Sequence, residues 1–256
     1  MTQPLLETRD LTVRFGGHVA VDAVSCAFAA GELTAIVGPN GAGKTTYFNL
    51  ISGQIAASAG QVLLRGEDVT RQSVARRCAG GLGRAFQLTN LFPDLTTLEN
   101  VRLVIQARRA KGFNLLSMAA SDNDLRDAAL AVLERVRMTA LRDTRVSELS
   151  HGNQRKLEVA MLIALDPAVY MFDEPTAGMS ADEAPVVLDL IAGLKAERDR
   201  TILLVEHKMD VVRALADRII VLNNGELVAD GPPEEVIAMP IVREIYLGIP
   251  ADEAAA

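Results

Sequence analysis

The sequence predicts an α/β fold, and three observations carry the prediction. Short apolar runs of strand length recur along the chain, at Leu33–Val37, Val169–Phe172, Thr201–Val205 and Arg218–Leu222. Segments of helical periodicity alternate with them, the pattern of layered strands and helices. The first run enters a glycine-rich stretch, Gly38–Gly43, and a helical stretch follows at once, giving the order strand, glycine loop, helix.

The elements are justified in turn. Leu11–Phe15 and Val19–Phe28 read as strands around the turn signal Gly16-Gly17. After the glycine loop, Tyr47, Leu50 and Ile51 stand at i, i+3 and i+4, and Gly53 closes that helix. From Gln87 to Ser147 the pattern turns helical and more polar, with a loop within Ala107–Asp124 and a helix over Leu125–Val136. The basic cluster Arg108, Arg109 and Lys111 reads as a solvated face rather than a lipid-headgroup contact. Ser150–Leu165 is a second clear helix with Leu157, Ala160, Met161 and Ala164 on one face, and Pro167 forbids its extension. Ser180 and Glu183 form a capping box before the next helix, and Pro185 bends that helix's early turns. Asn224-Gly225 turns the chain into a hairpin with Glu226–Ala229, and Ala251–Ala256 is a frayed tail.

Composition narrows the function. The 256 residues suffice for one large domain, and with 49% hydrophobic residues but only 4% aromatics its core is aliphatic. A net charge of −7 argues against a dedicated nucleic-acid binder, which presents a basic face. No apolar run reaches the roughly 18 residues of a membrane span. The start, Met1–Asp10, lacks the basic and apolar regions of a signal peptide. The two cysteines, Cys26 and Cys78, lack zinc-site spacing and suit a reducing compartment.

Gly38-Pro-Asn-Gly-Ala-Gly-Lys44-Thr45 fits the pattern GxxxxGK[ST]. Its glycines let backbone N–H groups of Gly38, Pro39, Asn40, Gly41, Ala42 and Gly43 (proline excepted) turn around phosphate oxygens, and the helix opening at Lys44 adds its positive end. Lys44 can reach the β- and γ-phosphates, and the Thr45 hydroxyl can ligate Mg²⁺, with Thr46 beside it. The strand Val169–Phe172 runs directly into Asp173 and Glu174. A carboxylate at the exit of a buried strand needs a partner. Mg²⁺ held by Thr45 and Asp173 would supply one, and Glu174 is placed to orient or deprotonate a water.

These motifs, with five further features, resemble the nucleotide-binding subunits of ATP-binding cassette (ABC) transporters over essentially the whole chain. Leu149-Ser-His-Gly-Asn-Gln154 is similar to the family signature LSGGQ, with His151 in place of a glycine and Asn153 in place of the glutamine. Ser150 and Gly152 are kept; Ser150 would equally serve as an ordinary N-cap of its helix. His207 resembles the family's γ-phosphate histidine, and Gln87 in Arg84-Ala-Phe-Gln its glutamine loop. Phe15 matches the adenine-stacking aromatic, or is a core strand residue. Ala177-Gly-Met-Ser180 resembles a loop that usually carries Asp where Ser180 stands, which puts communication through that loop in doubt.

The resemblance implies a P-loop NTPase fold with a RecA-like core, an N-terminal antiparallel β-subdomain and an inserted helical subdomain. It implies one cassette over 1–256: core 1–86 and 156–240, helical subdomain 87–155 and tail 241–256. It implies ATP and Mg²⁺ as cofactors, with Glu174, His207 and Gln87 catalytic, and Thr45, Gln87 and Asp173 at the metal. Ser150 and Gly152 would complete the γ-phosphate shell of ATP on a partner cassette. The implied partners are a second cassette, polytopic membrane subunits docking near Gln87–Pro93 and a solute-binding protein, with the chain peripheral on the cytoplasmic side of the membrane. Phe86, Leu91 and Phe92 are the docking anchors, although Phe86 suits the cassette's own core.

Arg84-Ala-Phe-Gln, the polar insertion Lys111–Ser121, Leu157-Glu-Val-Ala160 and the ending Val242–Gly248 look most like importers of branched-chain amino acids. Urea or amide importers and lipopolysaccharide-export cassettes share part of this pattern. Soluble cassettes of translation or DNA repair carry fused pairs or coiled coils with basic surfaces, unlike this chain. A degenerate cassette that binds ATP only for structure would not need Glu174 and His207.

Overall fold

The computed structural model of the chain describes residues 4–85, 91–109 and 122–247. Phe86, Gln87, the polar insertion Lys111–Ser121, Gly248 and the tail 251–256 lie outside the described residues. The chain divides into two compact units: Met1–Arg84, Ala168–Glu174 and Leu194–Ala256 form the first, and Ala85–Pro167 with Pro175–Gly193 the second.

The first unit opens with β1 (Leu6–Phe15) and β2 (His18–Phe28), an antiparallel hairpin around Gly16-Gly17. β3 (Leu33–Val37) is buried at all five positions, Thr34 included, as its mainly apolar run suggests. α1 (Lys44–Ser52) follows, closed by Gly53 in the left-handed conformation. β4 (Ala59–Leu64) and β5 (Glu67–Asp68) complete an antiparallel sheet of order β2-β1-β4-β5. α2 (Val74–Ala79), capped by Ser73, leads to β6 (Leu82–Ala85).

In the second unit α3 (Thr97–Arg109), α4 (Asp122–Arg135) and α5 (His151–Leu165) pack on one another. α5 is buried more widely than its expected single face: Val159, Leu162 and Ile163 join Leu157, Ala160 and Ala164 inside, while Met161 of the expected face is only half-buried. Asp166 closes α5 in a left-handed conformation; Arg108 pairs with its carboxylate yet stays exposed, as does Arg109, in keeping with a solvated face. α6 (Ala184–Ala196) begins later than the capping box implies. Glu183 does reach back to Ser180, accepting from its N–H at 3.3 Å. The Ser180 hydroxyl, however, donates to the same carboxylate at 3.0 Å instead of capping the helix. Pro185 becomes the second residue of α6, where its missing N–H costs nothing, so it starts the helix rather than bending it.

The chain re-enters the first unit as β7 (Val169–Asp173) and β8 (Thr201–Val205), both fully buried. α7 (Met209–Leu215), β9 (Arg218–Asn223), β10 (Glu226–Gly231), α8 (Pro233–Ala238) and α9 (Pro240–Leu247) follow. The second sheet has the order β10-β9-β3-β8-β7-β6; β3 pairs in parallel with β8 and β9, and β10 closes its edge as an antiparallel hairpin. Successive β3 residues serve opposite faces. Ile36 joins Tyr47, Phe48 and Ile51 of α1 and the inner residues of the antiparallel sheet, whereas Ala35 and Val37 face Val212, Val236 and Val242.

One polar residue holds α1 from below. Arg77 is 2% exposed and donates to four carbonyls: Leu50 at 2.7 Å, Ile51 at 2.6 Å, Thr70 at 2.6 Å and Gln72 at 3.2 Å. Two of these belong to the last turn of α1, where the Leu50 carbonyl also accepts from the Gly53 N–H at 3.2 Å. Arg77→Leu is expected to lower unfolding free energy by about 3 kcal/mol or more in urea titration, because it strands several buried acceptors at about 1 kcal/mol or more each.

Candidate nucleotide site

The phosphate loop is built by the exit of β3 and the entry of α1. Gly43 is the N-cap of α1 at φ 97°, and a Cβ there would lie 2.5 Å from the Ala20 carbonyl oxygen, so only glycine fits. Ala42 is buried and its carbonyl accepts from the Gly225 N–H at 3.0 Å, anchoring the loop to the β9–β10 turn. Asn40, Gly41 and Thr45 are exposed, and Pro39 and Thr46 half-buried. The Lys44 ammonium, itself buried, donates to the carbonyls of Gly38 at 2.7 Å and Pro39 at 2.8 Å. Burial pushes the Lys44 ammonium down, while the charges of Glu174 and Asp173 pull it back up. The loop thus satisfies its own lysine with oxygens of the kind that phosphates would present.

Asp173 ends β7 at 3% exposure. Its partner in the protein is Arg84 on β6, whose Nη2 lies 2.8 Å from Asp173 Oδ2. Burial pushes the Asp173 carboxyl up, against the pull of the Arg84 guanidinium. The other oxygen, Oδ1, is buried with no hydrogen-bond partner. Glu174, the next residue, takes φ 48°, a strained conformation for a side chain of its size, while its N–H bonds the Val205 carbonyl at 3.0 Å. That turn points Glu174 Oε1 to within 2.6 Å of His207 Nε2. His207 follows β8 and is itself braced, its N–H donating to Glu206 Oε2 at 3.0 Å. Phe15 closes the β1–β2 hairpin at 51% exposure, which removes the core alternative and leaves a free aromatic face.

The first unit therefore brings together Lys44, Asp173, Glu174 and His207. Gln87 lies outside the described residues, and Ser150 and Gly152 belong to the second unit. There Ser150 is exposed and caps α5, its hydroxyl oxygen accepting from the Asn153 N–H at 3.2 Å, so the N-cap reading holds. Its hydroxyl hydrogen is still available to an anion at that positive helix end. Gly152 lies against Glu183: a Cβ would meet that carboxylate at 2.1 Å, so the Glu183 side chain would have to shift to admit one.

The donor set fits Mg²⁺. Among the described residues no group of three or more His, Cys, Asp or Glu could hold a metal alone. Mg²⁺ needs no such cage, since one or two protein oxygens plus substrate phosphates suffice. The orphaned Asp173 Oδ1 and the exposed Thr45 hydroxyl are such oxygens. Sequence reasoning missed Arg84 as part of the site. The only signal was a cation inside the short strand leading to the glutamine loop.

Fold and site together define a P-loop ATPase cassette. The family model described as "ABC transporter" matches residues 21–177. The chain is 38% identical over 257 residues to the high-affinity branched-chain amino acid transport ATP-binding protein LivG of Escherichia coli K12, covering 97% of this chain and 99% of that one. It is 36% identical to the corresponding BraF of Pseudomonas aeruginosa over 254 residues, with 97% and 99% covered. Among solved structures, an ATP-binding cassette of an ABC transporter in its ADP conformation matches with a TM-score of 0.81 at 30% identity, over 97% of this chain and all of that one. A dimeric cassette in a post-hydrolysis state bound to ADP and phosphate matches with a TM-score of 0.78 at 26% identity, over 89% and 98%. The chain belongs to the ABC transporter family. It binds ATP and is an ATP hydrolase of that family's type.

The strain at position 174 is open to measurement. Glu174→Gly is expected to be more stable than Glu174→Ala by about 1 kcal/mol in chemical denaturation, since both lose the carboxylate but only glycine adopts the left-handed turn freely.

Proposed function

We propose that the chain is the ATP-hydrolysing subunit that energises uptake of branched-chain amino acids or related polar solutes. The observation that carries the ATPase half is the Glu174–His207 pair, held at a strained turn one residue after the buried Asp173. The transport half is supported by similarity, over nearly the full length, to two branched-chain amino acid transport ATP-binding proteins.

In this reading Lys44, Thr45 and the backbone of Gly41–Gly43 hold the phosphates, and Phe15 stacks on adenine. On nucleotide binding Lys44 exchanges the carbonyls of Gly38 and Pro39 for phosphate oxygens. Thr45 and Asp173, with Gln87 beside them, would hold Mg²⁺, which would supply charge neutralisation on the phosphates. His207 fixes the orientation of Glu174, which accepts a proton from the attacking water. Two cassettes sandwich two ATPs, and Ser150 and Gly152 of each complete the γ-phosphate shell of the other. The closed dimer is favoured by contacts that ATP makes and ADP does not, so hydrolysis loosens it.

The helical subdomain, 87–155 in this reading, meets the membrane subunits. Support comes from Phe92, which is 51% exposed and held so by Asn100. Asn100 is fully buried; its Oδ1 accepts from the Phe92 N–H at 2.8 Å and its Nδ2 donates to the Phe92 carbonyl at 3.1 Å. Among the described residues no helix is long and apolar enough to cross a membrane; in this reading partner subunits supply the membrane path. A solute-binding protein delivers cargo to them.

Glu174→Gln is expected to keep ATP affinity and lose hydrolysis by about 100-fold or more. Phosphate release at the parent rate would remove Glu174 as the base. Gentle extraction from native membranes, followed by mass spectrometry of stoichiometric partners, tests the transport assignment. Two polytopic proteins with a second, related cassette support it. Lipid-export subunits redirect it, and a soluble chain with no membrane partner contradicts it.

A further inference from the structure

Arg84 has more contacts than an ion pair needs. Besides Asp173, its Nη1 donates to Asn49 Oδ1 at 2.6 Å, Ser52 Oγ at 3.1 Å and Gln54 Oε1 at 3.3 Å. Its guanidinium lies 5.5 Å from the ring centre of Phe48. Phe48, Asn49 and Ser52 are all on α1, and Phe48 and Asn49 stand three and four residues after Thr45. Side chains at that spacing share one face of a helix. Arg84 therefore grips α1 one turn below Thr45 with one nitrogen and the end of β7 with the other.

A buried cation is a costly way to join two elements. Well-packed apolar residues of similar volume often do as well or better, and Leu82 and Gly83 beside it are buried without charge. What an apolar residue cannot do is orient a carboxylate. Asp173 has two equivalent oxygens, and Arg84 takes Oδ2 while Oδ1 is left buried and without a partner. We propose that Arg84 is a positioning residue for the divalent-metal site: it commits one oxygen of Asp173, presents the other, and sets the spacing between that oxygen and the Thr45 hydroxyl through Asn49. The proposal rests on the reading of Asp173 as a metal ligand.

The test uses Mn²⁺ as a spectroscopic probe, with the full-length chain and a non-hydrolysable ATP analogue, its free fraction read by electron paramagnetic resonance. Arg84→Met is expected to weaken Mn²⁺ binding by about 10-fold or more, the usual effect of removing a group that orients a metal ligand. Its metal-free nucleotide affinity, measured in EDTA with a fluorescent analogue, stays at the parent value. Arg84→Lys is expected to recover part of the loss, since an ammonium reaches Asp173 but lacks the planar fork that also reaches Asn49. Asn49→Ala, which leaves the ion pair in place, is expected to show an intermediate loss and keeps the test open should Arg84→Met not fold. Asp173→Asn separates the two layers. If it abolishes Mn²⁺ binding while Arg84→Met and Asn49→Ala bind as the parent does, the positioning role is overturned and the metal reading stands. If Asp173→Asn itself binds Mn²⁺ like the parent, the metal reading falls and the proposal with it.

Discussion

A carboxylate at the end of a fully buried strand is the constraint on which the catalytic unit depends. Asp173 lies where desolvation opposes its charge, and the protein answers with one cation, Arg84, itself buried. That cation also has to be satisfied: its Nη1 donates to Asn49 and Ser52 of α1, while its Nε is buried without a hydrogen-bond partner. The result couples three elements by polar contacts: β7, which carries the acid; β6, which carries the arginine; and α1, which opens at the phosphate loop. Arg77 also holds the last turn of α1, donating to the backbone carbonyls of Leu50 and Ile51. The helix that would receive nucleotide is thus pinned by two buried guanidiniums, while its N-terminal turn keeps Thr45 exposed.

Much of this was legible in the sequence where a signal is local. Leu33–Val37, Val169–Phe172, Thr201–Val205 and Arg218–Leu222 are short, mainly apolar runs, and each lies in a strand of one sheet. The glycine loop and α1 followed from adjacent residues, as did the Asn224-Gly225 hairpin. What escaped was set by distance. Arg84 and Asp173 are 89 positions apart, and Arg77 and Leu50 27 apart, so nothing nearby announces either contact. The α5 face was understated because a helix buried on several sides loses the periodicity that reveals one side. The Ser180–Glu183 pair matched a capping box in pattern, yet its hydroxyl bonds the carboxylate and α6 starts after it.

The departures from the family pattern fall together in the second unit. Ser180, standing where an aspartate is usual, is engaged by Glu183. Glu183 in turn packs against Gly152, beside the positive end of α5, with Lys156 Nζ at 3.9 Å from its other oxygen. The negative charge missing at position 180 is therefore present three residues later, against the signature helix. Of the two signature substitutions, His151 is exposed at the first position of that helix and Asn153 is half-buried, its N–H donating to Ser150.

The central claim is that the glycine loop and the acids after β7 form one ATP-hydrolysing site. Steady-state phosphate release by the complex purified with its membrane subunits, comparing the parent chain with Lys44→Ala, tests this most directly. The account predicts Mg²⁺-dependent release by the parent and its loss in the variant, with both complexes assembled and folded. Equal release by the two, or release from the parent that persists in EDTA, would contradict it.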